Sequence, residues 1–140
     1  MVDPRNASSS GIRSFLAATP AAVGEAVRLA RNFSTGAGLD SDAAARLAIV
    51  VEELVANLVD HGDLPEGTPI ELEFSQQARG VILVLVDNGA PFDLRLAPEP
   101  GELPPERGGG AGLALVRAWA QVETYARVDD RNRLELWLNP

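Results

Sequence analysis

A chain of 140 residues, 46% apolar and 23% charged, is expected to fold as one globular domain with a real core. A net charge of −8, with arginine supplying all twelve Lys/Arg positions, argues against direct binding to a phosphate backbone and equally serves plain solubility. The lack of cysteine removes disulfides, thiolate metal sites and cysteine nucleophiles, and the longest apolar run, residues 81–86, falls far short of the ~18 residues of a membrane span.

The first residues lack a basic stretch followed by an apolar one, so no signal peptide is read and the expected location is the cytoplasm. Residues 1–10, polar and rich in serine, are expected to be a flexible tail, and residues 11–140 a single domain. Residues 12–18 fit a short first strand. Pro20 fits the first turn of a helix over residues 20–34, with Val23, Val27, Ala30 and Phe33 at helical spacing and Gly36 and Gly38 as its end. A second helix follows. Asp40, Ser41 and Asp42 offer its N-cap and Gly62 closes it. Leu47, Val51, Leu54, Val55 and Leu58 make its apolar stripe, while Glu53, Asn57, Asp60 and His61 fall on another side.

Ile70, Leu72 and Phe74 alternate with Glu71 and Glu73 as in a half-buried strand. After a turn over residues 76–80, the apolar run 81–86 reads as a central strand that stops at Asp87-Asn88-Gly89. Residues 90–110 hold five of the ten prolines and end on Gly108-Gly109-Gly110; such a loop is a lid, a binding loop or a link. Gly112 and Leu113 open a third helix, to about residue 121. Residues 122–128 and 133–138 read as a closing hairpin around Asp129-Asp130-Arg131-Asn132. Helices gathered on one face of a mixed, mostly antiparallel sheet make an α+β two-layer sandwich.

Three segments carry chemistry. In Glu53-Leu54-Val55-Ala56-Asn57 the first and last side chains share a helix face. Glutamate can take a proton, and the asparagine carbonyl suits magnesium, which leans on phosphates and water for its other ligands. A solvated helix face is the plain alternative. In Asp87-Asn88-Gly89 a carboxylate at a strand end can accept from a ligand amine, and the glycine admits close approach; an ordinary Asp-Asn-Gly turn looks the same. Gly108-Gly109-Gly110-Ala111-Gly112-Leu113 offers backbone amides and a helix start to phosphates, or serves as a hinge. It is neither a Walker loop, lacking the Gly-Lys-Ser/Thr ending, nor a dinucleotide fingerprint, since no buried strand runs into it. Arg107 reads as a phosphate contact or a solvated lid residue, and His61 as a helix-end cap or a group orienting water. Trp119 and Trp137 read as packing, and one histidine gives a serine triad little support.

In combination these segments are more specific than any one of them. Residues 53–62, then Asp87-Asn88-Gly89-Ala90-Pro91-Phe92-Asp93, then residues 109–116 resemble the GHKL superfamily, with its Bergerat-type ATP-binding fold. The small size and the Pro-Phe-Asp after the aspartate resemble its anti-sigma factor serine/threonine kinase branch, and the likeness covers roughly residues 12–138. It implies ATP and magnesium as cofactors, Glu53 as general base, Asn57 as magnesium ligand and Asp87 as the partner of the adenine amine. Gly89 would shape the pocket wall, and Arg107, Gly108, Gly109, Gly110, Gly112 and Leu113 would complete the nucleotide-binding set. It implies a sigma factor and an anti-anti-sigma antagonist as partners, and a homodimer. A nucleotide-dependent binding switch without kinase activity, or an ATP-binding domain serving a two-component system, fits the same motifs. The resemblance departs at Ala120, where family members often carry aspartate, and in a lid with few basic residues.

Overall fold

The computed structural model describes residues 11–96 and 110–139. In chain order it runs β1 (Ile12–Ala17), α1 (Ala21–Ala37), α2 (Ser41–His61), β2 (Pro69–Gln77), β3 (Gly80–Asp87), a 3-10 turn (Leu94–Leu96), α3 (Gly110–Trp119), β4 (Ala120–Val128) and β5 (Arg131–Leu138). The five strands form one sheet in the order β1-β2-β3-β5-β4. The expected mixed, mostly antiparallel sheet is antiparallel at each of its four pairings.

Strand alternation decides which sheet face the helices cover. Ile70, Leu72 and Phe74 of β2, Val81, Leu83 and Leu85 of β3, and Leu134, Leu136 and Leu138 of β5 share a buried cluster with the apolar sides of the helices. Phe33 of α1 stacks on Phe74 of β2, ring centroids 5.3 Å apart, and ties the layers together. On the opposite face Trp137 stands across from Ile82 under the Arg79 guanidinium, and Glu71 is paired with Arg13 and Arg131. The α+β two-layer architecture read from the sequence is therefore present.

The elements end where local chemistry ends them. Asp40 is the N-cap of α2, its side chain accepting from the Ala43 N–H at 2.8 Å, and Gly62 is the C-cap. All five residues of the expected α2 stripe are buried. In α1 the buried face differs from the expected one: Ala22, Ala26, Ala30 and Phe33 face inward, while Val23 and Val27 lie at its margin. Small side chains at four-residue spacing bring α1 close to α2, and hydropathy alone undervalues them. Gly36 lies inside the helix, and Gly38, in the left-handed region, ends it.

Three boundaries also differ. The β2–β3 turn is only Ala78-Arg79, and α3 begins at Gly110, ahead of the expected Gly112. The β4–β5 turn is only Asp129-Asp130, both with positive φ, so Arg131 and Asn132 belong to β5. Within the stretch 90–110, read as lacking structure of its own, Leu94–Leu96 form a 3-10 turn headed by Asp93, which accepts from the Arg95 N–H at 3.0 Å. The tail expected at residues 1–10 and the lid residues 97–109 lie outside the described residues.

Candidate functional site

The candidate residues collect where the second half of α2, the end of β3 and the start of α3 meet. Glu53 and Asn57 are one helical turn apart on α2 and both are half-buried. Burial raises the Glu53 pKa above the ordinary glutamate value, and the neighbouring Glu52 charge raises it further. The carboxyl lies against Gly112 in the first turns of α3, so closely that a Cβ at residue 112 would collide with Glu53 Oε2. Only glycine leaves room for that approach of helix start to carboxyl. Asn57 makes no hydrogen bond to any described residue, so its amide oxygen is available.

Asp87 ends β3 and is 4% exposed. Its Oδ1 accepts from the Gly89 N–H at 2.8 Å and from Asn132 Nδ2 at 3.0 Å. Among the described residues Oδ2 accepts no hydrogen bond. No buried side-chain polar atom among them lacks a partner, so Oδ2 keeps its access to solvent. That leaves an acceptor of the kind an amine requires, on a rigid strand end.

Gly89 sits against the cap of α2. A Cβ there would run into the Gly62 carbonyl oxygen, which also accepts from the Ala90 N–H at 2.8 Å. This contact joins the loop after β3 to the helix of Glu53. Gly62 lies nine residue steps beyond Glu53, about 13.5 Å along the axis at 1.5 Å per residue. The aspartate corner therefore meets α2 at its C-terminal end, and the glutamate corner lies about two and a half turns earlier on the same helix. Of the remaining candidates, Leu113 packs against the core, His61 is exposed in the last turn of α2, and Gly110 opens α3. Arg107, Gly108 and Gly109 lie outside the described residues.

Sequence reading missed the residues that hold Asp87. Asn132, read as part of a turn, is 3% exposed on β5, directly opposite Asp87 in the register. Its Nδ2 donates to Asp87 Oδ1, to the Ala90 carbonyl at 3.0 Å and to the Gly89 carbonyl at 3.3 Å. Its Oδ1 accepts from the Tyr125 hydroxyl at 2.6 Å and from Arg127 Nη1 at 3.0 Å. The signal was present: extending the inward period of Leu138, Leu136 and Leu134 by two residues places Asn132 on the same face.

The donor set can be tested against the cofactors. The described residues contain no group of three or more His, Asp or Glu able to hold a metal by themselves. A magnesium ion carried on phosphates needs only one or two protein oxygens, and Asn57 suits that role. No helix among the described residues is long and apolar enough to cross a membrane.

The described residues form a two-layer α+β domain of three helices on a five-stranded antiparallel sheet, consistent with the GHKL-type ATP-binding fold. The chain belongs to the histidine kinase-like ATPase domain family, whose model matches residues 16–138. A search of curated proteins finds no match.

Proposed function

We propose that this ATPase-family domain is an anti-sigma factor of the serine/threonine kinase type. It binds Mg-ATP, sequesters a sigma factor, and phosphorylates a serine or threonine of an antagonist protein. The observation that carries the catalytic part is the Glu53 carboxyl, half-buried, with a raised pKa, facing the start of α3 at Gly112. A raised pKa makes the carboxylate a stronger base toward a hydroxyl proton than an ordinary glutamate. Bound Mg-ATP supplies the phosphoryl group and neutralising charge. Asn57 would hold the metal, Asp87 Oδ2 would accept from the adenine amine, and the amides around Gly112 would face phosphate oxygens. The sigma factor, the antagonist, the homodimer and the cytoplasmic setting rest on the resemblance of residues 53–62, 87–93 and 109–116 to that branch.

The test uses radiolabelled ATP, magnesium and an antagonist protein, with calorimetry alongside. Glu53→Ala is expected to lower transfer by about 10²- to 10⁴-fold, the range of a lost general base, while ATP affinity stays close to that of the parent. Equal transfer by the variant removes Glu53 from the chemistry. ATP binding without transfer by the parent chain makes the domain a nucleotide-dependent binding module, and no heat at millimolar Mg-ATP ends the nucleotide reading.

A further inference from the structure

The polar group behind Asp87 is larger than a strand end needs. Asn132 Nδ2 faces three acceptors and its Oδ1 faces two donors, so only one orientation of the amide satisfies the network. The Tyr125 hydroxyl spends its proton on Asn132 and accepts the Phe92 N–H at 3.1 Å. Arg127 Nη1 bridges the Gly89 carbonyl, at 2.9 Å, to Asn132 Oδ1. Asn132, with Tyr125 and Arg127, thus gathers a carboxylate and the backbone of Gly89, Ala90 and Phe92 onto the β4–β5 hairpin. Nearly full burial of Asp87 and Asn132 makes each of these bonds hard to replace with water.

We propose that Asn132, locked by Tyr125 and Arg127, is a positioning residue that sets base selectivity by tying down Asp87 Oδ1 and turning Oδ2 alone toward the ligand. This deepens the proposed function and rests on its reading of Asp87 as the adenine contact. The chemistry runs through donors and acceptors. A fixed carboxylate oxygen accepts from a 6-amino purine. It repels the 6-oxo group of hypoxanthine or guanine, which presents lone pairs where the amine presented protons. A carboxylate free to rotate loses part of that discrimination, because it can turn away from the oxo group and be solvated.

The experiment measures calorimetric affinities for Mg-ATP and Mg-ITP, which differ in the purine 6-substituent and in the proton that the 6-oxo form carries on N1, in the full chain and in Asn132→Ala and Tyr125→Phe. Thermal unfolding without nucleotide reports whether each variant folds. The parent is expected to prefer ATP. Asn132→Ala is expected to weaken ATP by about tenfold, as for loss of a buried hydrogen bond to a charged group, and to weaken ITP less, so that the ratio narrows. Tyr125→Phe keeps the ring and removes only the hydroxyl; it is expected to narrow the ratio in the same direction by a smaller factor, and it decides the matter if Asn132→Ala does not fold. An unchanged ATP/ITP ratio in the folded variants, or equal weakening of both ligands, makes Asn132 structural only and overturns the proposal while the ATP reading stands. A parent chain that binds neither nucleotide overturns the proposed function instead.

Discussion

Glu53 is a carboxyl whose ionisation is held back by two causes of different kinds. Burial is the larger cause of its raised pKa and the charge of Glu52 the smaller. Since Glu53 in its proposed role as base acts only when ionised, the acid limb of transfer rate against pH is expected above the ordinary glutamate range. Glu52→Gln is expected to move that limb to lower pH by part of the shift, because burial persists; a pH–rate profile of both proteins checks it. The stability sign is opposite to that of a salt-bridged carboxylate. The folded state binds this proton more tightly than the unfolded state does. Its contribution is fully present below the unfolded pKa and is lost as pH rises through the raised folded value.

At the scale of elements, two glycines do different work. Gly89 approaches a backbone carbonyl, Gly62 O, whereas Gly112 approaches the end of a rotatable side chain, Glu53. Gly89→Ala is therefore expected to cost about 1–3 kcal/mol of stability, in the range of overpacking, because neither backbone can yield cheaply. Gly112→Ala is expected to cost less than that while displacing the Glu53 carboxyl and lowering transfer. Denaturant midpoints and transfer rates on the two variants check the contrast. Much of this level was legible in the sequence. The five-residue stripe of α2, its Asp40 and Gly62 caps and the three strands with inward leucines follow from period and capping chemistry. The β4–β5 turn was not legible in detail, because three of the four residues in Asp-Asp-Arg-Asn favour turns. Only the left-handed backbone of Asp129 and Asp130 shortens the turn to two residues and returns Asn132 to the sheet.

At the scale of the whole molecule, the two layers are held by one continuous cluster, with Phe33 against Phe74 at the seam. Both rings are nearly fully buried, so Phe33→Ala is expected to cost about 3–5 kcal/mol, read from the denaturant midpoint at unchanged slope. Glu53, Asn57, Asp87 and Gly112 were readable in the sequence as candidates, but their convergence depends on the ends of separate elements meeting in space. The Gly62–Ala90 hydrogen bond and the Glu53–Gly112 contact that bring them together leave no mark on any local pattern. The antiparallel register has a practical consequence. Gly80 and Asp87 are the two ends of β3, so the Ala78-Arg79 turn lies a full strand length from the aspartate, while the Asp129-Asp130 turn adjoins it. A dye, tag or inserted peptide belongs at Ala78-Arg79. The same insertion at Asp129-Asp130 would slip β5, and a one-residue slip would turn Asn132 to the other face.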